Sequence, residues 1–488
     1  MSSNTPYKFI ELLNRPDKPR NLGITMVIDK NMGLHAAKDL VDSAAGHIDF
    51  IKLGWGTSCV TNIDTLKKKI ELFKSHNIRV LPGGTLFELA YDQNVVDEFL
   101  QESLKLGFDA LEVSNGIHPH MTVDEKHELI RKSASLGFYT LSEVGKKLPE
   151  EDHRLHSEDR ISEAKGDLAA GAKKVIMESR ESGTVGIFNE SGQIDSRLAY
   201  ELFQGIDPDD IIWEAPKKDQ QVWLLQQLGP HVNLGNISNN DVISLETLRL
   251  GLRADTMREH RKNAVVVYLE LGTGGALRAQ RRGDIIVVVD AIRASTTILQ
   301  AFESGVERIK PVVGADELVG DLTAGERGGE KLPFADYGNS PTEFTNLDLR
   351  KRELILSSTN GTECIKTSKG IDNRVFIGSV TNASAIAKKI TAIATETGKN
   401  ITLLAAGRNN LPAIEDRIGV TEILKRIESP IIRGILDPYY SENLERDFLS
   451  SDSGINLAKL GFANDIIHCS KMDIFTLTPE FDGVYINR

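Results

Sequence analysis

The chain has 488 residues with a net charge of −12, 40% hydrophobic and 26% charged residues, a composition that buries large cores and excludes a disordered tail. The acidic balance, with no long Lys/Arg run, argues against nucleic acid as the main partner. No stretch of about 18 uncharged apolar residues occurs and residues 1–20 hold no apolar signal core, so the expectation is a cytoplasmic protein without a membrane span.

In chain order, the first half repeats one theme: a short β-rich apolar run, a Gly- or Ser-bearing turn, then an amphipathic stretch. The runs lie at residues 23–28, 48–53, 78–81, 110–113, 138–141, 174–177, 211–213 and 232–234. Eight βα units in about 250 residues predict a closed (β/α)₈ TIM barrel. Its last helix is expected at 242–253, capped by Asn240 or Asp241. The polar stretch 258–263 reads as a linker, dividing a barrel at 1–258 from a second domain at 264–488. That second half again alternates strand-like runs (284–289, 353–356, 374–377, 401–405) with helical segments such as 383–394, predicting a layered α/β domain. Cys59, Cys364 and Cys469 stand far apart without metal-ligand spacing and are expected to be reduced and buried.

The active site of such a barrel forms at the C-terminal ends of its strands. There the sequence places Asp29, Glu112, Glu143, Glu178 and Glu214. Carboxylates converging on one mouth raise one another's pKa unless a cation shares the site, and Mg²⁺ is the economical candidate. Positive charge arrives at the same mouth from Lys52, Lys146, Lys147 and Arg180. Lys52 lies inside an apolar run, so it either pairs with a carboxylate or meets an anion, unless it snorkels outward between helices. The turns 54–57 and 82–85, with Gly83 and Gly84, offer backbone N–H groups to an oxyanion, and 180–186, with Ser182, can wrap one too. Plain βα turns and structural ion pairs are the competing explanations.

The blocks DFIKLGWGTS (49–58), LPGGTLFE (81–88), LSEVGKK (141–147), MESRESG (177–183), EAPKKDQQ (214–221) and ISLETLRLGLR (243–253) closely resemble phosphosulfolactate synthase, over roughly residues 8–258. The resemblance implies a Mg²⁺-dependent barrel that adds sulfite to phosphoenolpyruvate, giving 2-phospho-3-sulfolactate on the way to coenzyme M. Attack on the methylene carbon creates an enediolate that cations must stabilise, and the carbon bearing phosphate then needs a proton. Lys147, with an ammonium of lowered pKa, is the expected donor and Lys146 the runner-up. Glu112 and Glu143 are favoured as Mg²⁺ ligands, and Lys52 and Arg180 should point inward to the anionic substrates.

In the second half, DIIVVVDAIRASTTIL (284–299) reads as a buried strand ending in Asp290, then a turn into a helix. Helix N–H groups, the Ser295 and Thr296 hydroxyls and the Arg293 fork suit a phosphate, and Asp290 suits a metal or serves as a helix cap. Small-residue loops follow: GERGG (325–329), DYGNSPTE (336–343), SSTNGTE (357–363), GSVTNASA (378–385) and IED (414–416). Together they resemble 2-phosphosulfolactate phosphatase over about 264–488, which implies a Mg²⁺-dependent α/β phosphatase. On the matching positions Asp290 would be metal ligand or nucleophile; Arg293, Ser295 and Thr296 would hold phosphate; Asn360, Gly361, Thr362 and Asn382 would line the pocket. Glu415 and Asp416 would add carboxylate to Mg²⁺ or to the attacking water. Glu363 and the turn 407–410 depart from that family's pattern.

The combined expectation is a fused, bifunctional enzyme acting on phosphoenolpyruvate, sulfite and phosphosulfolactate, a homo-oligomer without nucleic-acid or membrane partners. One rival adds another nucleophile or takes another 2-phospho-acid. A second rival keeps the barrel as a non-catalytic stress or interaction module, like the plant heat-stress-associated proteins that resemble the same synthase, beside an active phosphatase.

Overall fold

The computed structural model describes residues 6–7, 9–10, 12, 15–117, 121–180, 182–189, 191–257, 265–409 and 411–488. The chain divides into two compact units, residues 1–258 and 259–488. The polar stretch 258–263 lies outside the described residues.

The first unit is an eight-stranded sheet of β1 (Thr25–Asp29), β2 (Phe50–Leu53), β3 (Arg79–Pro82), β4 (Ala110–Val113), β5 (Tyr139–Val144), β6 (Lys174–Met177), β7 (Ile211–Glu214) and β8 (Leu234–Ser238). Seven parallel ladders run in the order β3-β2-β1-β8-β7-β6-β5-β4. The two edge strands meet without a ladder. At that seam the Val80 N–H donates to Asp109 Oδ1 at 2.9 Å and the Asp109 N–H to Val80 O at 3.4 Å, so a side chain closes the TIM barrel. Met26, Phe50, Leu81, Ala110, Leu141, Ile176 and Ile212 fill the barrel interior as one cluster. Their strand neighbours Val27, Ile51, Val80 and Leu111 are buried in a cluster with helix residues, the alternation a pleat imposes.

The eighth strand starts at Leu234, where the apolar run ends. Gly235, Asn236 and Ser238 look like turn residues, yet the ladders to β1 and β7 carry the backbone through them. The last helix spans Val242–Arg249, shorter than expected, because Gly251 turns the chain at φ 69.

The second unit is α/β with one mixed eleven-stranded sheet. Its strands are β9 (Val266–Leu271), β10 (Ile285–Val289), β11 (Arg308–Val312), β12 (Leu322–Arg327), β13 (Glu330–Lys331), β14 (Glu353–Ser357), β15 (Arg374–Gly378), β16 (Ile401–Ala405), β17 (Ile431–Gly434), β18 (Glu480–Phe481) and β19 (Ile486–Asn487). In a five-stranded parallel group, β15-β10-β16-β9-β17, the first four strands are buried on both faces, as their Val/Ile-rich runs require, while the edge strand β17 is partly exposed. The short hairpin β18–β19 joins it to the parallel group β12-β14-β11 through antiparallel pairings. Cys364 and Cys469 are buried, but Cys59 is exposed, because it sits in the turn after β2 rather than on a strand. No helix among the described residues is long and apolar enough to cross a membrane.

Candidate active sites

At the barrel mouth a cavity of about 380 Å³ is lined by Lys52, Gly83, Gly84, Glu112, Glu143, Lys147, Glu178, Arg180 and Glu214, with Trp55, Ile117 and Leu148 among its apolar residues. Lys52, on β2, points inward: its Nζ lies 2.9 Å from Glu112 Oε2, 3.2 Å from Glu214 Oε1 and 3.8 Å from Glu143 Oε2. Lys147 Nζ lies 2.8 Å from Glu88 Oε1, 2.9 Å from Glu143 Oε1 and 3.9 Å from Glu178 Oε2. The two ammonium groups thus flank Glu143. Ser114 adds a hydroxyl that donates to Glu143 Oε1 at 2.6 Å.

Burial opposes every charge here, and the neighbours decide the outcome. Burial lowers the Lys147 ammonium, but Glu143, Glu178 and Glu88 together outweigh it and hold its pKa above the ordinary lysine value. The lowered pKa expected of Lys147 is therefore reversed, because the sequence could not show how many carboxylates surround it. Burial raises Glu143, but Lys147 and Lys52 overcome this and keep it below the usual carboxylate range. Glu112 is pushed up to about 8 by burial against the pull of Lys52, with Glu143 adding to the rise. Glu178 is raised by burial and by Glu143 and Glu214.

Oxygens of Glu143, Glu178 and Glu214 approach within 4.8 Å of one another. Glu143 Oε2 is buried without a hydrogen-bond partner. Hard, clustered carboxylate oxygens, one of them without a hydrogen-bond partner, fit Mg²⁺. Glu112, expected as a ligand, stands outside this trio: Lys52 takes one oxygen and the Gly84 N–H donates to the other at 3.0 Å. Asp29 is likewise occupied, by Lys69 Nζ at 2.5 Å. Gly84 must lack a side chain, since a Cβ there would stand 2.3 Å from Glu112 Oε1. Lys146 is turned to the Asn115 carbonyl at 2.8 Å, and Ser182 bonds Thr184 Oγ1 at 2.7 Å, so neither lines the cavity. Arg180 lines it and has no side-chain partner among the described residues. Sequence reasoning quoted Glu88 without singling it out. Its signal was a carboxylate on a short helix whose neighbours Phe87 and Ala90 are apolar.

In the second unit a cavity of about 170 Å³ gathers Asp290, Glu326, Glu415 and Asp416 with Arg293, Asn360 and Arg408. Asp290 ends β10; its Oδ1 accepts from the Ala294 N–H at 3.2 Å, and a Cβ on Gly361 would stand 2.6 Å from its Oδ2. Burial, with Glu326 and Glu415 nearby, pushes Asp290 up to about 6, against a smaller pull from the Ala294 N–H. Burial, Asp290 and Glu415 raise Asp416, whose oxygens accept from the Ala291 N–H at 2.7 Å and the Gly407 N–H at 2.8 Å. Glu326, inside the GERGG loop but not singled out, accepts from the Thr359 N–H at 2.7 Å and the Gly329 N–H at 2.8 Å. Buried Asn339 Oδ1 lines the cavity without a hydrogen-bond partner. This oxygen-rich set also fits Mg²⁺.

Several expected phosphate contacts are spent elsewhere. Ser295 Oγ accepts from the Asp290 N–H at 3.0 Å, and Thr296 Oγ1 lies 3.4 Å from Ser379 Oγ; neither lines the cavity. Thr362 closes a local loop with Ser358, and Asn382 bonds Ser379, Ile377 and Leu477, so both are scaffold. Arg293 does line the cavity, but its fork is committed to Asp465 Oδ2 at 2.9 Å and the Gly329 carbonyl at 2.7 Å. Short polar side chains near a strand end bond the nearest backbone first, which a linear sequence does not reveal.

Residues 13–255 match the family model of (2R)-phospho-3-sulfolactate synthase, and residues 274–483 that of 2-phosphosulpholactate phosphatase. A phosphosulfolactate synthase from Methanothermobacter thermautotrophicus is 47% identical over 244 residues, covering 50% of this chain and 94% of that protein. A "Probable 2-phosphosulfolactate phosphatase" from Carboxydothermus hydrogenoformans is 35% identical over 210 residues, 40% of this chain and 85% of that protein. A 2-phosphosulfolactate phosphatase from Methanocaldococcus jannaschii is 33% identical over 198 residues, 38% of this chain and 83% of that protein. The chain belongs to the phosphosulfolactate synthase family through its first half and to the 2-phosphosulfolactate phosphatase family through its second, and is a fusion of the two domains.

Proposed function

We propose that the barrel adds sulfite to phosphoenolpyruvate, forming 2-phospho-3-sulfolactate, and that the second domain hydrolyses this product to 3-sulfolactate and phosphate. The observation that carries the reading is the Lys52–Glu143–Lys147 arrangement in the barrel cavity, one buried and one half-buried ammonium group on either side of one carboxylate. Sulfite sulfur bonds to the methylene carbon, the carbon–carbon π electrons move toward the substrate carboxylate, and a proton completes the carbon bearing phosphate. Lys52 and Lys147 stabilise the negative charge that develops, and Arg180, whose side chain has no partner among the described residues, receives an oxyanion group. Lys147, protonated throughout the neutral range, lines the cavity and donates the proton to that carbon from its Nζ.

In the second domain Glu415 and Asp416 stand beside Asp290, where a carboxylate accepts a proton from the attacking water as the phosphorus–oxygen bond breaks. Mg²⁺, held by Glu143, Glu178 and Glu214 in one domain and by Asp290 with Asp416 in the other, supplies positive charge to the developing anions when bound. A cytoplasmic setting belongs to the same reading, supported by three unpaired cysteines.

A ³¹P NMR time course with phosphoenolpyruvate, Mg²⁺ and sulfite, beside a control without sulfite, tests this. Sulfite-dependent loss of phosphoenolpyruvate, a second phosphorus signal and then free phosphate are expected. Loss without sulfite, or none at all, overturns the reading.

A further inference from the structure

Two cationic side chains line the cavity of the second domain, and they are in opposite situations. Arg293 is buried, ion-paired with Asp465, bonded to the Gly329 carbonyl and laid over the Phe462 ring at 4.6 Å. Its charge is already cancelled. Arg408 is exposed, and its guanidinium has no ion pair or hydrogen bond among the described residues.

The Arg408 backbone, by contrast, is clamped. Its N–H donates to Leu411 O at 2.9 Å, and the Leu411 N–H returns to Arg408 O at 3.0 Å. On one side the Gly407 N–H donates to Asp416 Oδ2 at 2.8 Å; on the other the Asn409 N–H donates to Asn360 Oδ1 at 3.1 Å. Gly407 sits at φ 70, and a Cβ there would come within 2.5 Å of Leu411 O, so the turn requires glycine. The backbone that carries this cation is thus held at a fixed position beside the carboxylate cluster.

Electrostatics assigns it a task. A phosphate monoester whose phosphate is drawn to the carboxylate end, with its metal, leaves any further acid group among four carboxylates. That group is repelled unless a cation meets it, and a guanidinium fork matches sulfonate and carboxylate oxygens alike. We propose that Arg408 is a specificity-determining residue that binds the acid group of the substrate beyond its phosphate, so that this domain prefers phosphate esters carrying a second anion. The assignment rests on the phosphatase reading above.

The test measures phosphate release by the full chain from 2-phospho-3-sulfolactate, from 2-phospholactate, which lacks the sulfonate, and from p-nitrophenyl phosphate, which lacks any second acid. In Arg408→Met, KM for phosphosulfolactate should rise about tenfold or more with kcat nearly unchanged, p-nitrophenyl phosphate hydrolysis should change less than twofold, and Arg408→Lys should restore part of the loss. A matching loss on phospholactate identifies the carboxylate as the partner; a loss confined to phosphosulfolactate identifies the sulfonate. An unchanged KM, or an equal loss on p-nitrophenyl phosphate, overturns the assignment alone. A wild-type protein that releases no phosphate from phosphosulfolactate overturns the functional reading and the assignment with it.

Discussion

Lys126 Nζ lies 2.7 Å from the backbone carbonyl of Glu143, although Lys126 sits on the helix Val123–Ser135 outside the barrel. The β4–β5 ladder ends at Val113↔Ser142, so this carbonyl falls one residue past its last strand partner and the ammonium takes the vacant place. Glu163 at 2.6 Å and Asp167 at 2.8 Å neutralise the fully buried Lys126. Removing the cation strands two carboxylates, which costs about 3–5 kcal/mol for a buried pair. Lys126→Met is expected to lower stability by that order and to reduce sulfite addition, while the second domain still releases phosphate. Denaturant unfolding together with separate assays of the two activities checks this.

Lys147→Ala should abolish formation of phosphosulfolactate, with a fall of at least about 10²-fold, the usual contribution of a positioned proton donor. Lys146→Ala should fall far less, since Lys146 Nζ is turned to the Asn115 carbonyl. Phosphate release from supplied phosphosulfolactate should be unaffected in both. Full synthase activity in Lys147→Ala would remove it from the chemistry.

Glu178→Gln is expected to weaken Mg²⁺ binding to the barrel about tenfold or more, whereas Glu112→Gln should weaken it much less, because Glu112 is engaged by Lys52 and Gly84. Calorimetric titration of the two variants ranks them. The reverse order would return Glu112 to the metal.

His231 is pushed from its ordinary 6.5 down to about 4 by burial and by Arg15, Arg249 and Arg20, with Glu246 pulling weakly the other way. Its folded pKa is lowered, so the unfolded chain takes up the proton first as pH falls. Stability is therefore full above pH 6.5 and declines as pH drops toward 4. Because the ring is partly exposed, its share is about 1 kcal/mol. In unfolding titrations across that window, His231→Asn should show a shallower slope than the wild type.

The barrel was legible because period and length are local properties: each apolar run became a parallel strand close to where it was read. The carboxylates of β4 to β7 were legible for the same reason, since a strand end fixes where a side chain emerges. Partnership was not legible. Glu112, Glu143 and Glu178 look alike in sequence, and only the fold shows Lys52 taking the first, two lysines flanking the second and the third remaining near Glu214. The same limit hid Asp465, which lies 172 residues from the arginine it neutralises. Ser295, Thr296 and Asn382 carried the right chemistry in the right loops, but nearby backbone amides claimed the first and the last, and the distant Ser379 hydroxyl stands 3.4 Å from Thr296 Oγ1.

The side-chain closure between β3 and β4 makes that joint the weakest staves of the barrel. β3 and β4 share no ladder, and the Val80 amide bonds a carboxylate rather than a strand carbonyl. Amide exchange with deuterium should begin there, ahead of β1 and β8. The joint also lies beneath the Gly84–Glu112 hydrogen bond, so each brief parting loosens one wall of the cavity. The barrel is expected to breathe first at the one seam that no ladder holds.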